Sequence, residues 1–213
     1  MATTPAPTER SWYIAERWQE YEGEGRANLL RIGAIGSFYI VHLLNHFGWL
    51  QFDSAATTTP EAAVLFHREV TALAAAWTLV SLAVLLCLQQ RIFPSWLKYA
   101  STTADLVFLT AMLCISSGPR SPLVLGYPLV IVLAGLRFSL PLVRYATVGS
   151  LLGYLCVLGA ARWPERFGLG NIDLRVPRYH QLMTLLAIGL AGIMLGQILR
   201  RMRRLAEDYA ARK

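Results

Sequence analysis

Six apolar runs, joined by short polar connections, make up most of this chain. A helix needs about 20 predominantly apolar residues to cross a bilayer, because the hydrocarbon core is about 30 Å thick. The runs come close to that length and lack the strict alternation of barrel strands. The pattern therefore predicts an all-α integral membrane protein, built as a six-helix transmembrane bundle. The predicted spans are Leu29–Leu50, His67–Leu88, Leu97–Ile115, Pro122–Leu136, Leu140–Ala161 and Gln181–Leu199.

The polar ends of the chain complete this layout. Residues 1–28 mix charged and aromatic side chains, which predicts a cytoplasmic amphipathic segment along the membrane interface. Residues 29–199 form the six-span membrane domain. Residues 200–213 begin with a cluster of arginines and contain no helix breaker, so a cytoplasmic helical extension is predicted. The arginine cluster equally fits a plain stop-transfer signal.

Composition and charge agree with a membrane protein. The 213 residues are 55% hydrophobic and only 15% charged, which is too apolar for an ordinary soluble domain. Lysine and arginine concentrate on the side that carries both ends of the chain, and the positive-inside rule then places both termini in the cytoplasm. The net charge of +7 therefore does not imply nucleic acid, and the expected partner is the lipid bilayer.

The four histidines form the first candidate site. His42 and His46 are four residues apart late in the first span, while His67 and His180 open the second and sixth spans from the same side. Positions four apart share a helix face, so these imidazoles, with a carboxylate such as Glu69, are candidate ligands for zinc or copper. Two of them on different helices can instead ligate haem b. Each histidine alone also fits an interfacial side chain with its polar tip in water.

Asp105 is the second candidate, because it is the only acid well inside a predicted span. An intramembrane carboxylate is costly and is expected to face the bundle interior. Thr102, Thr103 and Thr110 are its expected hydrogen-bond donors. Two interpretations stay open, a proton-linked ligand switch and a polar clamp between helices. The clamp is favoured, since one acid without a partner base is a weak basis for a transport pathway.

Glycines give a third pattern. Gly149 and Gly153 in the fifth span, and Gly189, Gly192 and Gly196 in the sixth, have the spacing that lets helices approach closely. They predict either packing within one protomer or the seam of a homodimer.

No motif for nucleotide binding, acyl transfer, phosphoryl transfer or zinc proteolysis occurs in the sequence, so the chain is not expected to be an enzyme.

The third to fifth spans carry a resemblance in four stretches: Asp105–Thr110, Ser117–Leu123, Tyr127 and Ala134–Phe138. These resemble the multi-span membrane sensor regions at the amino terminus of bacterial histidine kinases and class III adenylate cyclases. In those regions an aspartate-leucine span leads to a glycine-rich "GG-x-x-SP" turn and then to a span ending in alanine, arginine and an aromatic residue or glycine. The resemblance implies the bacterial cytoplasmic membrane and a last span that continues into a signalling helix. It includes no catalytic domain here and none of the histidines.

The sequence as a whole predicts a non-enzymatic membrane sensor. In this hypothesis the histidines bind a metal ion or another small ligand, and the last span signals to a cytoplasmic partner. The alternative is a small b-type cytochrome, or a redox or assembly subunit of a larger membrane complex.

Overall fold

Helices account for nearly all of the fold. The computed structural model describes residues 7–49, 60–90, 94, 96–163 and 175–211; for residues 7–20, 60, 62, 210 and 211 it describes the backbone alone. Within these ranges there is no strand, which confirms the all-α prediction for them. The α-helices are α1 (Pro7–His46), α2 (Pro60–Gln89), α3 (Leu97–Ile115), α4 (Gly126–Gly135), α5 (Leu140–Arg162) and α6 (Arg178–Ala211). Two 3₁₀ segments, Gly118–Arg120 and Pro122–Leu125, precede α4.

Four of these helices are long and apolar enough to cross a membrane. The stretches are Tyr21–His46 in α1, Ala63–Gln89 in α2, Leu140–Arg162 in α5 and Arg178–Tyr209 in α6. Their outward faces carry large exposed apolar side chains, among them Leu79, Val148 and Leu186. Apolar faces of this extent are uncommon on soluble monomers. The architecture has the character of a multi-pass membrane protein.

The other two helices fall short of that standard. α3 has the predicted bounds, but Lys98, Asp105 and several hydroxyl residues lower its hydropathy. The apolar stretch Pro122–Gly135, which contains α4, is shorter than a bilayer-crossing helix requires. Six α-helices are confirmed in the part of the chain that the structure describes. Six complete crossings stay a prediction.

α1 and α6 both extend beyond the predicted spans. α1 runs unbroken from Pro7 to His46, so no break at residue 28 separates the amphipathic segment from the first span. The predicted end of that span, Leu50, lies outside the described residues. α6 continues as a helix to Ala211, and every described side chain from Arg200 to Tyr209 is exposed.

α5 lies at the centre of the bundle. It packs against α3, α4 and α6, and the largest buried apolar cluster forms there, with Leu113, Ile131, Leu142 and Tyr154 almost fully buried. α1 packs against α2, α2 packs against α3, and α1 also touches α4. α1 and α2 therefore enclose one side of the bundle, where polar side chains of α1 meet α3 and the α4–α5 connection.

Candidate functional site

Two ion pairs form a charge cluster inside the helical bundle. Its members are Glu24 and Arg31 of α1, Asp105 of α3, and Arg137 between α4 and α5, with exposed fractions of 0%, 2%, 2% and 2%. Buried charges are costly unless each is paired and hydrogen-bonded. The four side chains carry equal numbers of positive and negative charges, so the cluster is neutral overall.

Asp105 lies in an ion pair with Arg31. The Arg31 Nε and Asp105 Oδ1 atoms are 2.7 Å apart, and Trp77 Nε1 donates to the same oxygen at 2.9 Å. The acid thus has a partner base, which was not predicted from the sequence. The pair joins α1 to α3, and Trp77 adds α2.

The threonines expected to donate to Asp105 have other partners. Thr102 Oγ1 accepts from Arg137 Nη1 at 2.5 Å, Thr103 Oγ1 pairs with the Tyr145 hydroxyl at 2.7 Å, and Thr110 Oγ1 pairs with the Tyr127 hydroxyl at 2.9 Å. That expectation was wrong, because Thr103 and Thr110, seven residues apart, share a face of α3 that points away from Asp105, and the Thr102 hydroxyl is held by Arg137.

Arg137 and Glu24 form the second pair. Arg137 Nε is 2.7 Å from Glu24 Oε2 in an ion-pair contact, and Arg137 Nη2 donates a hydrogen bond to Glu24 Oε1 at 2.9 Å, so two nitrogens of the guanidinium face the two carboxylate oxygens. Burial lowers the pKa of Arg137 and Glu24 acts in the opposite direction; an arginine stays protonated in either case. Gly23 permits this contact, since an added Cβ there would collide with the Leu136 carbonyl oxygen.

The α1 members follow a helical spacing. Glu24, Asn28 and Arg31 lie on one face of the helix because they are four and three residues apart. Asn28 connects the face to its neighbours: its Nδ2 donates to the Ser81 carbonyl at 3.0 Å, and its Oδ1 accepts from Arg31 Nη1 at 2.7 Å. This spacing at the start of an apolar run is the sequence signal that could have identified the cluster.

One nitrogen of the Arg31 guanidinium has neither an ion-pair nor a hydrogen-bond partner among the described residues. Nε faces Asp105 and Nη1 donates to Asn28, whereas Nη2 is buried and has no hydrogen-bond partner among the described residues. A buried donor without a partner costs free energy and calls for an explanation.

A cavity of about 120 Å³ adjoins this side chain, between α1, α2, α3 and α4. Arg31 and Asp105 line one end, and His42 and Phe66 line the other. Arg31 and His42 are separated by about 16 Å along α1, at 1.5 Å per residue. The wall between them is apolar, and a cavity of about 150 Å³ is known to hold a molecule the size of benzene.

The cavity reaches the outer surface of the bundle between α1 and α4. Phe38 of α1 and Leu129 of α4 both line it, and their exposed fractions are 48% and 39%. A ligand can therefore arrive from the side, between two helices, without passing through either end of the bundle.

Three of the four histidines come together at the far end of this cavity. We call His42, His46 and His67 the histidine cluster. His42 Nε2 and His67 Nδ1 are 3.1 Å apart, so one nitrogen donates to the other. The His46 and His67 rings stack with centroids 4.0 Å apart and planes 10° apart. His42 is half-buried and His46 is exposed.

This arrangement differs from that of metal ligands. Ligands of one ion direct their nitrogens at a common point, whereas nearly parallel stacked rings direct theirs within separate planes. In the ranges that the structure covers, no group of three or more His, Cys, Asp or Glu side chains is placed to hold a metal ion. The zinc, copper and haem expectations therefore stay predictions.

His180 and Glu69 lie apart from the histidine cluster. His180 is exposed at the start of α6, and its ring contacts Tyr179 at a centroid distance of 4.8 Å. The structure records no contact between His180 and the other three histidines within the described ranges. Glu69 is exposed on α2 and has no ion pair or hydrogen bond to a described residue.

The glycines differ in what they contact. An added Cβ would collide with Leu106 at Gly149, with Tyr127 at Gly153 and with Thr147 at Gly192, so these three permit close helix packing within one chain. A Cβ at Gly196 would make an ordinary contact with Leu140, and one at Gly189 would meet no described atom within 4 Å.

The fold and the site together define a helical, membrane-type bundle with a buried charge cluster at one end of an internal apolar cavity. Comparisons with protein-family models, with curated proteins and with solved structures find no match. The resemblance to kinase and cyclase sensor regions consequently stays a prediction.

Proposed function

We propose that the chain is a non-enzymatic, multi-pass sensor of the bacterial cytoplasmic membrane. It binds a small ligand in the cavity between α1 and α4 and passes the resulting change in helix packing to a cytoplasmic partner through α6. The observation that carries this proposal is the cavity itself, because it ends on the buried Arg31–Asp105 pair that joins α1 to α3. A ligand at that position contacts the groups that hold the helices together.

The path from the cavity to α6 runs through α4. One wall of the cavity is the α4 face that carries Leu129 and Val130. α4 packs against α6 on another side, and Arg137, just after α4, is held by Glu24 of α1. A change in the gap between α1 and α4 therefore changes the packing of α4 against α6. A bias of about 1–3 kcal/mol between two packings is sufficient for such coupling.

The output is the exposed end of α6. From Arg200 to Tyr209 its described side chains are all exposed, and they include Met202 and Leu205 among several arginines. This composition supports contact with a cytoplasmic partner, or a homodimer through the same segment. The positive-inside rule favours the cytoplasm for this end.

Filling the cavity tests the proposal. Ala34 lines the cavity, whereas its neighbour Gly33 is exposed with no described atom near a Cβ. We expect a small molecule to co-purify with the wild type and with Gly33→Leu and to be depleted in Ala34→Leu, as measured by mass spectrometry of extracts. A spin label at residue 205, in a background lacking Cys87, Cys114 and Cys156, should report a changed mobility for Ala34→Leu only.

Absence of any bound molecule in the wild type, together with identical spectra for all three proteins, contradicts the proposal. Reporter tags at both ends of the chain test its topology independently, because six crossings place both tags in the cytoplasm.

A metal ion at the histidine cluster is a second candidate input. The supporting observation is that three imidazoles from α1 and α2 lie in mutual contact at the cavity's other end. Metal analysis of the purified protein tests for zinc or copper. A Soret band after expression with added haem would instead support the b-type cytochrome.

A further inference from the structure

We infer that the cavity takes an uncharged, apolar molecule whose carbonyl oxygen accepts a hydrogen bond from Arg31 Nη2. The inference rests on the ligand site proposed above and names the class of ligand that occupies it.

The guanidinium supplies the first argument. Arg31 lines the cavity, two of its three nitrogens face Asp105 and Asn28, and Nη2 has no hydrogen-bond partner among the described residues. The available group is therefore a donor, fixed in place by the contacts of the other two nitrogens. A donor selects an acceptor, which excludes ligands whose polar end is an ammonium group.

Charge supplies the second argument. Glu24, Arg31, Asp105 and Arg137 already balance one another, with all four side chains almost fully buried. A carboxylate or phosphate added beside Arg31 would leave the cluster with a net negative charge in a low-dielectric interior, which is expensive. A carbonyl oxygen accepts the same hydrogen bond and leaves the charge balance unchanged.

Shape supplies the third argument. The cavity is small in volume but extends from Arg31 toward His42 along α1, with an apolar wall that includes Ile35, Val70 and Leu109. A space of this volume holds the carbonyl end and the first carbons of an alkyl or isoprenoid chain, and the rest of the chain leaves through the opening beside Phe38. Its lateral opening beside Phe38 lies on an apolar face, so the bilayer is the source of the ligand.

Three probes with a shared chain length test the inference: 2-undecanone, undecane and undecanoate. The full chain is reconstituted in nanodiscs, and affinity is measured from the rise in melting temperature with probe concentration. We expect 2-undecanone to bind about ten-fold more tightly than undecane or undecanoate, given the strength of a hydrogen bond from a charged donor. The infrared stretch of a ¹³C-labelled carbonyl should also move to lower wavenumber in the bound ketone.

Variants separate the donor from the cavity. Arg31→Lys keeps a charge beside Asp105, but its single nitrogen is held there and none remains at the position of Nη2, so it should remove the ketone's advantage over undecane and the infrared shift. Ala34→Leu should weaken the binding of both, whereas Gly33→Leu should change neither. If Arg31→Lys does not fold, the infrared shift in the wild type decides the question.

The outcomes distinguish this inference from the proposed function. If the ketone and the alkane bind with equal affinity and Ala34→Leu loses both, water satisfies Nη2. That result overturns the carbonyl inference but leaves the proposed ligand site standing. Tighter binding of undecanoate overturns the uncharged class alone. Failure of all three probes to bind the wild type overturns the inference, and the co-purification experiment above then decides the proposed site.

Discussion

The charge cluster and the histidine cluster lie at opposite ends of one cavity and are built in opposite ways. Members of the charge cluster are almost fully buried, and each acid has a basic partner at 2.7 Å. The histidine cluster is half-exposed, comes from two helices only, and has one hydrogen bond of 3.1 Å between its rings. The first arrangement ties α1 to α3 and to the α4–α5 connection. The second leaves partly exposed side chains that can bind a ligand without breaking the fold.

The largest effect should follow from breaking an ion pair of the charge cluster. Arg31→Met leaves Asp105 as an uncompensated buried carboxylate, which costs about 3–5 kcal/mol in the free energy of unfolding. Unfolding by sodium dodecyl sulfate in mixed micelles measures this loss.

The double variant Arg31→Met/Asp105→Leu is the matched control for that measurement. It removes both charges and should recover most of the lost stability, because a well-packed apolar pair is often neutral relative to a buried ion pair. A loss below about 1 kcal/mol in the single variant, the typical value of an exposed pair, would contradict the burial of this cluster.

A smaller effect is expected from the tryptophan that joins α2 to the charge cluster. Trp77→Phe keeps the ring but removes the donor to Asp105, and a hydrogen bond to a charged group contributes about 1.5–3 kcal/mol. The control is Trp163→Phe at the exposed end of α5, which should change stability by no more than about 0.5 kcal/mol. Equal effects of the two substitutions would argue against the Trp77–Asp105 contact.

The helices of this bundle were largely predictable from the sequence, because their signal is local. The third apolar run gave the bounds of α3, Leu97–Ile115, and the fifth gave those of α5 to within one residue. The fourth run, Pro122–Leu136, was predicted as a short span, yet the α-helix begins only at Gly126, since Pro122 opens a separate 3₁₀ segment. The continuity of α1 was missed because polar residues were taken as a boundary.

The candidate site was predictable only in part, because pairing between distant residues leaves little trace in one sequence. Asp105 was identified by the cost of a carboxylate within an apolar helix. Its partner Arg31 lies 74 positions earlier in the chain, and no local pattern links the two residues. Arg137 was known only from the resemblance to sensor regions. For His42, His46 and His67 the reasoning from helix faces placed the residues together, but the orientation of their rings depends on packing.

Substituting a member of the histidine cluster should lower the free energy of unfolding by less than Trp77→Phe does. His67→Ala loses one neutral hydrogen bond and a ring stack at a half-buried position, and we expect a loss of about 1 kcal/mol in the free energy of unfolding. The same detergent titration measures it. A loss as large as that of Arg31→Met would show that the two clusters do not differ as described.

The smallest effect on stability is expected at His180, and it sharpens the question of metal binding. His180 is exposed and separate from the histidine cluster, so His180→Ala should change stability by no more than about 0.5 kcal/mol.

If the histidine cluster binds zinc as proposed, His67→Ala and His46→Ala should abolish zinc binding and leave the fold intact, while His180→Ala should bind zinc as the wild type does. Isothermal titration with zinc measures all three. Loss of binding in His180→Ala would mean that α6 moves toward α1 and α2 when the metal binds, whereas unchanged zinc content in His46→Ala and His67→Ala would remove the histidine cluster as an input. Zinc binding also requires the His46 and His67 rings to turn out of their stacked, nearly parallel planes, because only then can their nitrogens face one ion.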